Sequence, residues 1–322
     1  MKRQTNIDLL RVICALAVVG IHAITNPVGN RIGTIDANLI TVLNCIHNLL
    51  NWSVPVFFMI TGYCIFRKQA YSYRNCVSHI SKFVAVLLTV GFAYAVLEEV
   101  STAGTVNLQV LIHSLKNVIS GNLWDHMWYV YDIIGIYLVL PVLHPFMQSG
   151  KKNRLILTGL LFFFGVVGPA LSPLVNLGIH FPFGGYLCYV CMGGMIAKND
   201  FGRLEKIIFV LSGVVCAVYI ACSREFWGYH SLPVCLMAVC IFVMITGLNV
   251  KAKAHILTLS QCTWGVYLLH PLFINIVVKV LKIDLVSSMA CVKLPVFYFG
   301  ICLISFAVVY VLRKIPLIKK LF

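Results

Sequence analysis

Charged residues are scarce in this sequence, and acidic residues are the scarcest. The 322 residues include 10 Asp or Glu against 25 Lys or Arg, and charged residues make up 11% of the chain. Soluble domains carry about 25% charged residues, so the composition excludes an ordinary water-soluble protein. The sequence also lacks a Walker A loop, a Gly-x-Ser-x-Gly elbow and paired carboxylates within an apolar run. These gaps argue against a P-loop nucleotidase, an α/β-hydrolase and a carboxylate-based proton pump.

Cysteine is common in this sequence, but cysteines spaced as in metal or redox sites are scarce. Nearly all of the 13 cysteines lie in apolar runs, where Cys behaves as a small hydrophobic residue. Cys188 and Cys191 form the only close pair of metal or redox spacing in the sequence, and no second pair accompanies them. We therefore expect neither a metal nor a bound cofactor.

Long apolar runs dominate the sequence instead. Hydrophobic residues make up 60% of the chain, and the mean hydropathy is +0.93. A membrane-spanning helix needs about 20 mostly apolar residues. The sequence therefore predicts an all-α polytopic membrane protein of about ten transmembrane helices, forming one domain over 1–322 without a separate soluble domain. The ten runs are 7–24, 43–66, 83–97, 128–147, 155–175, 183–197, 207–221, 232–248, 256–280 and 294–312.

The basic residues indicate how these runs are oriented. With the N-terminus in the cytoplasm, 18 of the 25 Lys and Arg residues fall in inner segments, six fall in outer segments and one lies within a span. Cytoplasmic loops of membrane proteins carry such an excess, so we expect both termini inside and a multi-pass protein of the plasma or inner membrane. Topology also accounts for the net charge of +15, and no nucleic-acid partner is expected.

Three ionisable residues interrupt the first apolar run. Asp8, Arg11 and His22 lie within it, and ionisable groups inside a membrane span are functional-site candidates. Arg11 and His22 are eleven residues apart, close to three helical turns, so they share one face about 16 Å apart along the axis. Asp8 precedes Arg11 by one turn, where an ion pair can form. Such a face needs a protein-lined interior.

Two simpler interpretations of this run stay open. A basic start followed by an apolar run is typical of a cleaved signal peptide, although Asp8 and Arg11 interrupt the apolar region. Alternatively, Arg11 extends to the inner interface and His22 lies at the outer one, each without a partner role. This second interpretation explains either residue alone better than it explains both on one face.

Aromatic and polar residues are concentrated at the outer end of the fourth run. The segment 124–129 reads Trp-Asp-His-Met-Trp-Tyr, and aromatic rings next to donors and acceptors suit a sugar. The alternative is an aromatic belt at the membrane interface. Asp132 lies one turn further on.

Four stretches together resemble the acyltransferase 3 family of integral membrane proteins, which modify extracytoplasmic glycans and related acceptors with acyl groups. They occur in the family's order and span nearly the whole chain. Two features depart from the family pattern: Asp132 stands where an uncharged residue is expected, and the basic segment 67–82 is looser than the family's arginine cluster. The four stretches are 8–11 with His22 (the Arg-x10-His element), 54–63 (Pro-x-Phe-Phe-x-x-Thr-Gly), 126–141 (beginning His-Met-Trp-Tyr) and 264–271 (Trp-Gly-Val-Tyr-Leu-Leu-His-Pro).

The resemblance implies an O-acyltransferase that moves an acyl group, expected to be acetyl, from cytoplasmic acyl-CoA to an external hydroxyl. His22 and Arg11 are then the catalytic residues. Arg11 offers a forked donor set to phosphate or carbonyl oxygen, and the His22 imidazole can accept the proton of the attacking hydroxyl. Direct transfer and a covalent acyl-enzyme both fit these residues. The co-substrate acyl-CoA is expected to contact Arg11, Asp8, Arg67 and Lys68.

On the acceptor side, the resemblance implies a cell-envelope glycan or a lipid-linked saccharide at the edge of the lipid bilayer. His126, Trp128 and Tyr129 are expected to face that acceptor. The oligomeric state is not predicted. Secondary candidates, with either structural or catalytic roles, are Asp132, Tyr267 and His270.

Two other functions stay open at this point. A polysaccharide or small-molecule transporter or flippase on the same fold would use Arg11 and His22 to bind its substrate or to relay protons. A non-catalytic partner subunit would need neither residue. Transport without acyl modification would favour the transporter.

Overall fold

The computed structural model describes residues 4–29, 35–175, 184–223, 225–316 and 318–321. Helices form all the regular structure of these ranges, and they contain no strand, so the predicted all-α fold class is confirmed. The α-helices of the described ranges are α1 Thr5–Gly29, α2 Ala37–Leu50, α3 Ser53–Phe66, α4 Tyr73–Val86, α5 Phe92–Ala103, α6 Leu108–Ser120, α7 Trp128–Gln148, α8 Lys151–Phe162, α9 Gly168–Val175, α10 Gly184–Ala197, α11 Arg203–Cys222, α12 Leu232–Gly247, α13 Ala254–Asn275 and α14 Ala290–Leu312.

Most of the predicted spans appear as long apolar helices. Among the described residues, eight helical stretches are long and apolar enough to cross a membrane, and they coincide with eight of the ten predicted runs. The other two runs form the shorter apolar helices Gly185–Ala197 and Leu232–Gly247. The chain is therefore a multi-pass membrane protein, whereas the count of ten spans stays a prediction.

The chain forms two compact units. The main unit comprises the described residues of 1–68 and 149–320, with α1–α3 and α8–α14, and the smaller unit comprises 69–148, with α4–α7. The prediction of a single domain over the whole chain stays a prediction.

Local sequence explains several helix ends. The Asp36 side chain accepts hydrogen bonds from the backbone at the start of α2, and Asn107 caps α6 in the same way, because these short side chains satisfy otherwise unpaired N–H groups. Gly104 and Gly121 end α5 and α6 at φ +68° and +78°, a conformation that glycine adopts without strain. The connection between the third and fourth predicted spans is therefore largely helical.

Helices α1 and α13 run parallel in the main unit. Near their starts, Ser260 of α13 contacts Asp8 of α1, and near their ends, His270 contacts His22. Helix α3 runs the opposite way, since Tyr63 near its end hydrogen-bonds to Gln4 just before α1.

Helices α3 and α10 run parallel and pack very closely. The Phe58 and Tyr186 rings lie 4.5 Å apart, and four residues further along each helix Gly62 lies against the Val190 carbonyl. Gly193 lies against the α3 backbone in the same way, and a side chain at either glycine would overlap the facing carbonyl group. Small residues allow such close backbone approach between membrane helices.

Two further contacts give the directions of α12 and α8 in the main unit. The last turn of α12 lies beside the start of α1, where Asn6 Nδ2 donates to the Thr246 carbonyl at 2.8 Å. The start of α8 lies beside the end of α10, where Arg154 Nε donates to Asp200 Oδ2 at 2.6 Å and Nη2 donates to Oδ1. Helices α1, α8 and α13 thus run one way, and α3, α10 and α12 run the other.

The smaller unit is a hairpin of long helices. The Tyr71 ring just before α4 lies 6.2 Å from the His144 ring near the end of α7. At the other end, the Tyr94 ring on α5 lies 5.7 Å from the His126 ring just before α7. The chain therefore enters and leaves this unit at the same end.

Candidate functional site

Asp8 is held at the start of α1 by two donors. The residue is almost fully buried, with 3% exposed. Arg11 Nη1 lies 3.0 Å from Asp8 Oδ1, so the ion pair expected from the one-turn spacing is present. Ser260 Oγ on α13 donates to the same oxygen at 2.8 Å. Two helices therefore fix the position of this carboxylate.

Arg11 extends this arrangement to α3. Its Nη2 lies 3.4 Å from Cys64 Sγ, and its side chain is 30% exposed. Next to Cys64, the Tyr63 hydroxyl donates to Gln4 Oε1 at 2.6 Å and accepts from Arg67 Nη1 at 3.3 Å. The guanidinium of Arg67 also lies over the Tyr63 ring, 5.2 Å from its centroid. Three helices thus converge here.

The residues expected to bind the donor therefore gather at one end of the main unit. We call Asp8, Arg11, Arg67 and Ser260 the charged cluster; Lys68 follows Arg67 directly at the end of α3. Because Arg11 is partly exposed while its carboxylate partner is buried, its guanidinium can contact a ligand without giving up that partner.

A second cluster lies near the other end of α1 and α13. The rings of His22 and His270 are 5.1 Å apart with an interplanar angle of 49°, and we call these two residues the imidazole pair. His270 is fully buried, and its Nδ1 lies 2.9 Å from the Val266 carbonyl oxygen. A carbonyl oxygen only accepts, so this contact places a proton on Nδ1 and leaves Nε2 as the basic nitrogen.

The other aromatic residues of the segment 264–271 extend the imidazole pair along α13. The Tyr267 ring lies 6.4 Å from the His270 ring, and the Trp264 ring stacks on Tyr267 at 5.2 Å. Of the secondary candidates, His270 therefore contacts the predicted base His22, and Tyr267 lies next to His270.

The two clusters are separated by a similar length on both helices. Arg11 and His22 are about 16 Å apart along α1, and Ser260 and His270 are about 15 Å apart along α13, at 1.5 Å per residue. The parallel pair α1–α13 therefore carries a fixed ion pair near one end and two imidazoles near the other.

The predicted acceptor-side residues belong to the smaller unit. His126 is 3% exposed, with its ring edge-on to Tyr94, which also stacks on Trp124 at 4.2 Å. The Trp128 and Tyr129 rings lie 6.1 Å apart in an edge-to-face arrangement. We call His126, Trp128 and Tyr129 the aromatic group of the smaller unit, and their expected role stays a prediction.

The remaining candidates are not part of either cluster. Asp132 is half-buried on α7, and among the described residues its carboxylate makes no hydrogen bond or ion pair. Cys188 and Cys191 are buried free thiols on α10. Over the ranges that the structure describes, no three His, Cys, Asp or Glu side chains are grouped so that they could hold a metal ion.

Ser260 and Cys64 are site residues that the sequence did not predict. Both contact charged residues of α1 from helices far away in the sequence, across 252 and 53 positions. A serine or a cysteine in an apolar run is ordinary, so composition gave no signal. The spacing of ten residues between Ser260 and His270, close to the eleven between Arg11 and His22, is the one local feature that could have suggested a matching face.

Comparisons with known proteins place the chain in a family. The profile of a family described as an acyltransferase domain matches residues 4–314. An amino-acid racemase of Enterococcus faecalis is 26% identical over 316 residues, which cover 88% of this chain and 43% of the racemase. The chain thus spans less than half the length of that curated relative. No solved structure matches.

Proposed function

Because the chain belongs to the acyltransferase 3 family, we propose that it transfers an acyl group, expected to be acetyl, from cytoplasmic acyl-CoA to a hydroxyl of an external acceptor. The acceptor we propose is a cell-envelope glycan or a lipid-linked saccharide. One observation carries this proposal: helices α1 and α13 hold a guanidinium near one end and an imidazole pair near the other. This arrangement suits a reaction whose two substrates arrive from opposite sides of a membrane.

The charged cluster is the proposed donor end. Arg11 and Arg67 offer planar, permanently charged donor sets that match the phosphate oxygens of acyl-CoA. Asp8 and Ser260 hold the Arg11 guanidinium in place, so little ordering is left to the binding step. Lys68 adds a further positive charge beside Arg67.

The imidazole pair is the proposed site of proton transfer. In direct transfer, His22 takes the proton of the acceptor hydroxyl while that oxygen forms a new bond to the thioester carbon. The C–S bond then breaks, and the coenzyme A thiolate leaves and takes up the proton. In the alternative route, a covalent acyl-enzyme forms first and the acceptor attacks it. A trapped acyl-protein adduct would distinguish the second route from the first.

The aromatic group of the smaller unit is the proposed acceptor contact. His126, Trp128 and Tyr129 combine ring faces with hydrogen-bonding groups at the predicted outer end of α7. Removing one of these side chains should weaken acceptor use and leave acyl-CoA binding near normal. Equal loss of acyl-CoA binding in a folded Trp128→Ala variant would contradict this role.

The proposed topology is ten spans across the plasma or inner membrane, with both termini in the cytoplasm. Two features support counting both short apolar helices as spans: α10 and α12 run parallel to α3, and α8 and α13 run opposite to them. Reporter fusions test the count. Fusions at Gly150 and Lys251 should report the cytoplasm, and one at Ser101 should report the outside. An external signal at Gly150 would overturn the ten-span topology.

Labelled donor tests the proposed reaction. Radiolabel from acetyl-CoA should appear in an envelope glycan of cells that express the protein and should disappear with His22→Ala. His255→Ala is the matched control, because His255 is an exposed histidine at the start of α13 and belongs to neither cluster. Full labelling in the His22→Ala strain would exclude the assigned base.

A further inference from the structure

A cavity of about 520 Å³ lies between the start of α11 and the end of α12 in the main unit. Its lining has two parts. Two basic residues, Arg203 and Lys206, come from the first turns of α11. The apolar part of the lining is Phe201, Ile207, Val210, Leu211, Val243 and Met244.

The basic side of the cavity presents positive charge that a ligand can contact. Arg203 and Lys206 are three residues apart and therefore share one helix face. Within the described ranges, neither side chain makes a hydrogen bond or an ion pair. Gly202, which also lines the cavity, lies beside the carboxylate of Glu205, the acidic residue of this turn. Two cations and one neighbouring carboxylate therefore leave this side of the cavity with a net positive charge.

The apolar side continues into a surface that faces lipid. Only 11% of the apolar window of α11 is buried, the lowest share of the eight long stretches. Leu211 on α11 is 60% exposed and Met244 on α12 is 51% exposed. A ligand that fills the cavity would thus contact charge at one side and membrane-exposed hydrocarbon at the other.

We propose that this cavity binds one anionic phospholipid. Its phosphate lies between Arg203 and Lys206, and one acyl chain lies along Ile207, Leu211 and Met244. Basic pockets between membrane helices bind anionic headgroups on the cytoplasmic side, the side on which the excess of basic residues places the start of α11. A water-soluble phosphate compound would use the charged side and leave the apolar walls unmatched. The proposal does not depend on the acyltransferase function.

Lipid retention by the full-length purified protein tests the charged side. Native mass spectrometry would compare a phosphatidylglycerol with a phosphatidylcholine of identical chains. The double variant Arg203→Gln/Lys206→Gln should bind phosphatidylglycerol roughly 30-fold more weakly, because each basic residue near an anionic surface contributes about a fivefold gain in binding. Phosphatidylcholine retention should not change. The matched control is Lys251→Gln/Lys253→Gln, which removes two exposed charges that follow α12 and lie outside the cavity.

A second variant tests the apolar side and remains informative if the double variant does not fold. Met244→Trp fills the cavity without changing charge and should lower phosphatidylglycerol retention. Free coenzyme A should not displace the lipid from the wild-type protein. The proposal is overturned if the control loses as much lipid as the double variant or if both lipids are retained equally. It is also overturned if coenzyme A displaces the lipid while Met244→Trp retains it fully, since the cavity would then be a site for soluble phosphate.

Discussion

The two ends of the α1–α13 pair are built from different chemistry. Near one end, the charge is fixed, because the Asp8 carboxylate accepts from both Arg11 and Ser260. Near the other, two imidazoles are in ring contact, and a neutral imidazole has one nitrogen that can accept a proton. A fixed ion pair suits binding and orientation, whereas an imidazole suits proton transfer. In the proposed mechanism, one helix pair would keep these two tasks about 16 Å apart.

The largest effect should come from removing the proposed base, His22, at the imidazole end. The His22→Gln substitution keeps hydrogen-bonding ability but cannot take up the proton, so acyl transfer should fall by about 10²–10⁴-fold. Acyl-CoA binding should stay near the wild-type value, because the charged cluster is intact. Calorimetric titration with acyl-CoA, beside the transfer rate of the same purified protein, measures both quantities.

His255→Gln is the control for that substitution, since it removes an exposed imidazole from the same helix pair. Lost acyl-CoA binding with unchanged transfer per bound donor would make His22 a donor ligand. The base would then have to be sought at His126 or His270.

The second largest effect should come from neutralising the fixed charge. Asp8→Asn leaves Arg11 without its carboxylate and weakens the bond from Ser260. Losing one partner of a fully buried pair costs about 3–5 kcal/mol, and we expect about 2 kcal/mol here because the Arg11 side chain is 30% exposed and partly screened. Thermal unfolding of the purified protein measures this loss. Asp125→Asn, at an exposed carboxylate, should leave the unfolding temperature unchanged, and an equal shift in both variants would contradict the assigned role of Asp8.

A smaller effect should follow from keeping the charge and changing its shape. Arg11→Lys retains a cation but loses the planar fork, so acyl-CoA binding should weaken about tenfold, the equivalent of one hydrogen bond to a charged group. Transfer per bound donor should stay normal, because His22 is untouched. Measuring acyl-CoA binding and the transfer rate separately distinguishes an effect at the charged cluster from an effect at the imidazole pair. A variant that binds normally and turns over slowly would place Arg11 at the reacting atoms instead.

The sequence predicted what lies within one helix better than what lies between helices. The Asp8–Arg11 pair followed from a one-turn spacing, because the helical period fixes such geometry wherever the helix packs. The contact of Ser260 with Asp8 did not follow, because it depends on which of many apolar helices pack together. The His22–His270 contact is an intermediate case: both residues were candidates, and only the parallel packing of α1 and α13 joins them.

The spans, too, could be predicted from the sequence only where they did not depend on packing between helices. Hydropathy located the long helices, since about 20 apolar residues are needed in any context. The two short apolar helices α10 and α12 cannot be assigned by length alone, and their direction relative to α3 is a property of packing. The close approach at Gly62 and Gly193 explains why α10 packs against α3. A glycine in an apolar run does not, however, indicate which helix will pack against it.

The smallest effect should come from a histidine that belongs to neither end. His230 precedes α12, with its ring 4.3 Å from that of Tyr186, and burial lowers the pKa of its imidazole below the usual 6.5. The folded protein therefore favours the neutral ring. Above about pH 6.5 both folded and unfolded chains hold His230 neutral, and stability is complete. As the pH falls from there towards the lowered pKa, the unfolded chain gains a proton that the folded chain does not, and stability is lost.

His230→Gln should make the unfolding temperature fall less between pH 7 and pH 5, while acyl transfer at pH 7 stays close to wild type. An unchanged pH slope would show that burial at this site has no effect on titration, and a loss of transfer at pH 7 would extend the chemically active histidines beyond the imidazole pair.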